Sequence, residues 1–219
     1  MTAAFFLSIA MNTHILYSDR AGVLFAWGNT HKTSRGSFWP ASTIKLLPAL
    51  AVMRAGIANS PRIKALLHSA LSRSSNSAFD RLVRSVGADY VNDTARLIGL
   101  AHTWISRPYS RGRRFRGRRN KACPSNCTSL ADLQVMIRLA SRFSNLRKSL
   151  RPSLIPSLKG ALCKPGYIQK GHIIENCIIE DRVLTIATRA HRAGYKASIA
   201  KLRKVYRLFS EMLYSSKEK

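Results

Sequence analysis

The sequence predicts a single domain over residues 1–219 of the α+β class, with one antiparallel sheet formed from both chain ends and a helical middle section. Short apolar segments near the N-terminus have the length and alternation of strands. Two more such segments, Ile173 to Ile179 and Val183 to Thr188, surround a turn at Glu180-Asp181. Between the two ends, apolar residues recur with the spacing of amphipathic helices.

The N-terminal strands are predicted at residues 3–10, 13–18 and 22–27, with a hairpin turn at Asp19 to Gly22. The apolar start could also be a short signal segment, but no Lys or Arg precedes it, so a strand is favoured. Serine, proline and glycine signals mark the helix boundaries. Helices are expected to begin at Ser42, at Pro61, after the serine-rich turn 72–77, at Val91, at Ser129 and at Tyr195.

Basic residues dominate the charge, with 37 Lys and Arg against 10 Asp and Glu and a formal net charge of +27. A field of this size attracts anions, such as nucleic acid, acidic wall polymers or a lipid surface. The 46% hydrophobic content excludes a disordered chain. No apolar run approaches the roughly 20 residues that a membrane-spanning helix needs.

The strongest chemical motif is Ser42-Thr43-Ile44-Lys45, which follows an aromatic and proline lead-in at Phe38 to Ala41. Backbone N–H groups at a helix start stabilise negative charge near the serine oxygen. A lysine three residues later lies on the same helix face, and desolvation would let it accept the serine proton. The alternative is a helix-capping serine followed by a surface lysine.

Three motifs in order resemble those of the penicillin-binding proteins, DD-peptidases and class A β-lactamases, which carry S-x-x-K, S-D-N and K-T-G. The first matches at Ser42 to Lys45. The second resembles Ser74-Ser75-Asn76, with serine in place of aspartate, and the third resembles Lys164-Pro165-Gly166, with proline in place of threonine. Segments of the middle section also resemble the family, at Gly99-Leu100, 106–108 and 128–133. The resemblance implies a β-lactamase/DD-peptidase-like fold.

The resemblance also implies catalytic roles. Ser42 would attack the substrate carbonyl, and Lys45 would accept its proton. Ser74 would relay a proton to the leaving nitrogen, and Lys164 would sustain the positive field beside it. Ser74 and Asn76 could instead cap a helix, and Lys164-Pro165-Gly166 could be an ordinary turn.

Substrate contacts follow from the same resemblance. Asn76 would contact the substrate amide, and Gly166 and Tyr167 would lie on the strand that binds the substrate. The N–H groups of Ser42 and Tyr167 would form the oxyanion hole. The implied substrates are β-lactams or D-alanyl peptides of peptidoglycan, and the implied compartment is periplasmic or extracellular. No cofactor or metal is implied.

The acidic residues depart from the family. No Asp or Glu occurs between Asp93 and Asp132, where the class A enzymes carry a deacylating glutamate. We therefore expect an acyl-enzyme that deacylates slowly. Two alternatives stay open: a catalytically degenerate binding protein of this fold, and a basic polyanion- or nucleic-acid-binding protein in which the serine motif is accidental.

The segment Arg107 to Asn126 is rich in arginine and glycine and has no apolar period. It predicts a loop that binds a polyanion electrostatically, the alternative being a solvated loop. Only Phe115 could stack on a base. The polyanion-binding candidates are Arg111, Arg113, Arg114, Arg116, Arg118 and Arg119.

Four cysteines have spacings that fit no usual zinc pattern. Cys123 and Cys127 could form a local disulfide in an exported protein. Cys163 and Cys177 are expected to be ordinary buried residues.

Overall fold

The computed structural model describes residues 13–18, 23–27, 38–110, 114–118, 120–121, 123, 125–168, 172–180, 182–189 and 194–215. Within them, seven strands form one antiparallel sheet. The strands are β1 (Thr13–Ser18), β2 (Val23–Trp27), β3 (Arg151–Pro152), β4 (Leu162–Cys163), β5 (Gly166–Ile168), β6 (His172–Ile179) and β7 (Arg182–Arg189). The strand and turn predicted at 3–10 and 19–22 lie outside the described residues.

The sheet joins the two ends of the chain, as predicted. Its order is β2-β1-β7-β6-β4-β3, and β5 also pairs with β6. N-terminal strand β1 lies against C-terminal strand β7, with Thr13 opposite Thr188 and Ser18 opposite Val183. Strands β6 and β7 pair as the predicted hairpin, with Ile179 opposite Arg182.

Helices occupy the middle of the sequence and the C-terminus. They are α1 (Leu46–Arg54), α2 (Pro61–Leu71), α3 (Asn76–Val86), α4 (Ala88–Leu97), α5 (Leu130–Arg142), α6 (Ser144–Arg147) and α7 (Tyr195–Ser215). No helix in the described ranges is both long enough and apolar enough to cross a membrane.

The sheet has a core on each face. Ile174 and Val183 pack with the middle helices, whereas their neighbours Ile173 and Leu184 pack under α7. This alternation follows from the two-residue period of strands. The motif helix α1 is almost wholly apolar and lies buried in the first core.

The predicted α-helix start at Ser42 is wrong by one turn. Residues Ala41–Lys45 form a 3-10 helix, and the α-helix begins at Leu46. Thr43 N donates to Pro40 O across three residues, which is the 3-10 pattern. Pro48 explains the change, because a proline without an N–H is tolerated in the first turn of an α-helix but not in its interior.

The cysteine prediction is also wrong in part. Cys163 and Cys177 are buried, but they form a disulfide between β4 and β6, where they are directly paired in register. Cys123 and Cys127 form a second, local disulfide. The spacing of 14 residues did not indicate the Cys163–Cys177 bond, since β4 is only two residues long and was not predicted.

Candidate active site

The 3-10 turn brings the two residues of the first motif into contact. Lys45 is fully buried, and its Nζ lies 2.6 Å from Ser42 Oγ and 2.8 Å from Asn76 Oδ1. Burial lowers the pKa of Lys45 to about 8, although the charge of Asp80 acts in the opposite direction. A substantial fraction of Lys45 is therefore neutral near pH 8 and able to accept a proton.

A second lysine–serine pair lies beside the first. Lys164 is fully buried, and its Nζ donates to Ser74 Oγ over 2.8 Å. Burial lowers the pKa of Lys164 well below its ordinary value, and the charges of Lys45 and Arg151 lower it further. The site therefore holds two serine hydroxyls, each in contact with a lysine that gives up its proton readily.

The residue that caps α3 distinguishes a structural role from a functional role within the second motif, Ser74 to Asn76. Ser75 is the capping residue, since its Oγ accepts from Ala78 N at 3.2 Å. The alternative that Ser74 caps this helix is therefore wrong. The side chains on either side of Ser75 contact the two lysines instead, through Ser74 Oγ and Asn76 Oδ1.

The backbone at the site is strained at two positions. Among described residues other than glycine, φ is positive only at Ala41 (49°), Ser74 (58°) and Glu180 (54°). Ala41 directly precedes Ser42, and Ser74 carries the second hydroxyl. Residues other than glycine rarely adopt a positive φ, and backbone strain of this kind persists only where surrounding contacts enforce it.

Strand β5 closes one side of the site at very short range. A Cβ added at Gly166 would lie 2.9 Å from Ala41 Cβ and 3.0 Å from Ser42 N. Only glycine allows this approach of β5 to the 3-10 turn, which explains a glycine in the third motif. The preceding Pro165 lies at the cleft surface beside it.

The two serines open onto one cleft of about 270 Å³. Its walls include the sequence-predicted residues Ser42, Ser74, Asn76, Gly166 and Tyr167, together with Arg151, Leu154, Pro165, Ile173 and Tyr195. The two motif lysines lie buried behind this wall. Arg151 adds a cation to the cleft, and no motif in the sequence indicated it.

Tyr109 supports the 3-10 turn that carries Ser42. Its hydroxyl donates to Ala41 O at 2.6 Å, and its ring centroid lies 5.2 Å from Lys45 Nζ. Buried Asp80 fixes this loop, because its carboxylate accepts from Tyr109 N at 2.8 Å and from Ser110 N at 3.0 Å. The sequence offered one signal, an acidic residue on the apolar face of α3 beside Phe79 and Val83.

Comparison with known proteins rests on structure alone. No protein-family model and no curated protein matches the chain. A β-lactamase from Burkholderia vietnamiensis is 16% identical, with a TM-score of 0.72 over 96% of this chain and 94% of that chain. A β-lactamase from Sphaerobacter thermophilus DSM 20745 is 17% identical, with a TM-score of 0.68 over 93% and 92%. An ancestral class A β-lactamase is 18% identical, with a TM-score of 0.68 over 96% and 97%. The chain has the class A β-lactamase fold.

The basic loop of this β-lactamase-like chain is only partly described. Arg118 is held locally, since its guanidinium pairs with Asp89 and Asp93 and its N–H donates to Asp89 Oδ1 at 2.7 Å. Arg114 and Arg116 are exposed. The other candidates, Arg111, Arg113 and Arg119, lie outside the described residues.

Proposed function

We propose that this chain is a serine hydrolase that forms an acyl-enzyme on Ser42 with β-lactams or D-alanyl peptides. The contact between Lys45 Nζ and Ser42 Oγ at 2.6 Å carries this proposal, together with the lowered pKa of Lys45. A nucleophile and base within hydrogen-bond reach form the minimal unit of this chemistry.

The acylation step uses the two lysine–serine pairs in sequence. Neutral Lys45 takes the proton from Ser42 Oγ, which bonds to the substrate carbonyl carbon. The carbon–nitrogen bond then breaks, and the nitrogen takes a proton from Ser74 Oγ. Ser74 recovers a proton from the buried lysine pair, since Lys164 Nζ lies 2.8 Å away. Asn76, held by Lys45, is offered as the contact for the substrate amide.

The oxyanion contacts and the carboxylate contacts complete the proposal. The N–H groups of Ser42 and Tyr167 are proposed to bind the carbonyl oxygen as it becomes negative. They can lie close together because Gly166 lets β5 approach the 3-10 turn that carries Ser42. Pro165 lacks the hydroxyl of the usual threonine. Arg151 in the cleft wall is proposed to bind the substrate carboxylate.

A labelled penicillin tests the proposal directly. We expect stoichiometric labelling of one peptide that contains Ser42, and its loss in Ser42→Ala, identified by mass spectrometry of the digested protein. Ser77→Ala is the matched control, because Ser77 is exposed on α3 and should leave labelling unchanged. Labelling that survives Ser42→Ala would overturn the assignment. A protein that binds penicillin reversibly without a covalent bond would be the degenerate family member.

Polyanion binding is a separate proposal for the loop 111–121, motivated by its sequence and by the exposed Arg114 and Arg116. Binding to DNA or to an anionic wall polymer should weaken steeply with salt as counterions are released. Replacing the six candidate arginines by serine should flatten that dependence. Equal binding by the substituted protein would show that the loop is only a solvated surface.

A further inference from the structure

Tyr109 is the centre of an aromatic cluster beside the 3-10 turn that carries Ser42. Its ring centroid lies 4.9 Å from that of Phe79 and 5.9 Å from that of Trp39. Phe115 extends the cluster from the basic loop, 6.3 Å from Phe79. We call these four residues the aromatic wall. Within it, the Tyr109 ring lies 5.2 Å from Lys45 Nζ, and the described lining of the Ser42 cleft includes none of the four residues.

Hydrolysis of an acyl-enzyme needs a water and a base beside the ester. The water oxygen bonds to the acyl carbon, the bond from that carbon to Ser42 Oγ breaks, and a proton moves from the water to Oγ. A carboxylate is the usual group that positions such a water. The nearby carboxylate of Asp80 points elsewhere, because its oxygens accept from the backbone of Tyr109 and Ser110 and from the Ser110 hydroxyl.

Tyr109 itself is unsuited to act as that base. Burial raises the pKa of its phenol above the ordinary value, and the charge of Asp80 raises it further, although a hydrogen bond with Asn126 acts in the opposite direction. The phenol therefore stays protonated across the neutral range. Its hydroxyl is committed as a donor to Ala41 O. The ring is left to fill space beside Lys45.

We propose that Tyr109 is a positioning residue that shields the Lys45 side of the Ser42 ester from water and so prolongs the life of the acyl-enzyme. The inference rests on the proposed acylation of Ser42. Three observations carry it: the ring centroid lies 5.2 Å from Lys45 Nζ, Phe79 and Trp39 pack against the ring, and the buried carboxylate of Asp80 anchors the backbone of Tyr109. Slow deacylation is then a consequence of a closed wall as well as of a missing glutamate.

The experiment measures how long the label persists. The full chain is labelled with a fluorescent penicillin, excess label is removed, and loss of the covalent adduct is followed by intact mass. Four proteins are compared with the original: Tyr109→Phe, Tyr109→Ala, Tyr109→Glu and the control Tyr90→Glu. Tyr90 is also a partly buried tyrosine, and the guanidinium of Arg54 lies over its ring, but Tyr90 lies on α4.

Tyr109→Phe should keep the ring and therefore a lifetime within about twofold of the original. Tyr109→Ala opens the wall, and Tyr109→Glu adds a base, so each should shorten the lifetime by roughly tenfold or more. Tyr90→Glu should leave the lifetime unchanged. An unchanged lifetime in the labelled Ala and Glu variants would overturn the inference.

The phenylalanine variant keeps the test decisive if the other two fail to fold. A shortened lifetime in Tyr109→Phe would show that the hydroxyl, not the ring, controls hydrolysis, and that result also overturns shielding. Failure of the original protein to label at Ser42 would overturn the proposed function itself. Normal labelling with no effect of Tyr109 would overturn only this inference.

Discussion

The Nζ atom of Lys164 lies 2.8 Å from the Oγ atom of Ser74, although the two residues are 90 positions apart in the sequence. Lys45 makes the corresponding contact with Ser42 at 2.6 Å. Both lysines are buried, and the charge of Lys45 lowers the pKa of Lys164. A charge on Lys45 therefore opposes protonation of Lys164.

The rate of acylation should depend on pH through this pair. Below a pKa of about 8, Lys45 is protonated and cannot accept the Ser42 proton. The rate should therefore fall by roughly tenfold per pH unit below the midpoint and level off above it. Stopped-flow labelling across pH 5.5–9.5 would measure this profile. Lys45→Arg should be inactive at every pH, because guanidinium does not lose its proton; activity in that variant would contradict the role of base.

Asp80 should set the position of that midpoint. Its charge raises the pKa of Lys45 and so acts against the larger effect of burial. Asp80→Asn keeps the shape of the side chain and removes the charge, so the pKa of Lys45 should fall and the acylation midpoint should move to lower pH. The matched control is Asp93→Asn, since Asp93 pairs with Arg96 and Arg118 on the surface of α4. A midpoint that rises in Asp80→Asn would contradict the electrostatic argument.

Gly166→Ala should damage both stability and acylation. The new methyl group would meet the 3-10 turn within 3.1 Å at Ala41 Cβ, Ser42 N and Thr43 N. We expect a loss of about 1–3 kcal/mol in the free energy of unfolding and a fall in melting temperature of roughly 2–4 °C for each kcal/mol. Gly194→Ala is the control, because a Cβ there meets nothing within 4 Å. Equal melting temperatures for the two variants would argue against the close packing of β5.

The Cys163–Cys177 disulfide should contribute more stability than the Cys123–Cys127 disulfide. The first closes a segment with a sequence separation of 14 residues and the second one of 4 residues. Loop entropy gives about 3 kcal/mol for the longer closure and about 2 kcal/mol for the shorter. Thermal unfolding of the two double alanine variants would compare them. A larger loss from the Cys123 and Cys127 double variant would show that another effect dominates.

Turnover of a chromogenic cephalosporin should begin with a burst of one equivalent and continue slowly. The proposed acylation uses only the two lysine–serine pairs, whereas efficient deacylation needs a base to position water. Loss of such a base typically costs about 10²–10⁴ in rate. The amplitude of the burst, measured against protein concentration, checks the expectation. Sustained turnover at tens per second with no burst would mean that a carboxylate reaches the ester.

The sequence was most informative where short motifs and long apolar patterns coincide. The strands β1, β2, β6 and β7 and the main helices followed from period and turn residues, with boundary shifts of a few residues. The strands β3, β4 and β5 did not, because two or three residues carry no period. The Cys163–Cys177 bond was missed for the same reason, since it depends on the pairing of β4.

Sequence motifs indicated some side chains of the candidate site, and the side chains that belong to no motif were missed. Ser42 and Lys45 are neighbours on one turn, so their contact follows from local geometry. Tyr109 and Arg151 reach the site through tertiary packing, which spacing alone does not reveal. Asp80 belongs to no motif, but its position could be noticed in the sequence, because an acidic residue on the apolar face of a helix is unusual.

The pairing of β1 with β7 has a consequence for synthesis of the chain. The two strands are about 170 residues apart, and their register contacts join residues 13–18 to residues 183–188. During translation, β1 must wait without its partner until β7 has left the ribosome, and the same holds for contact of Lys164 with Ser74. Pairings of such long sequence separation are slow to form and leave strand edges open meanwhile. Completion of the candidate cleft is therefore a late event in folding, because it waits for β7 to pair with β1.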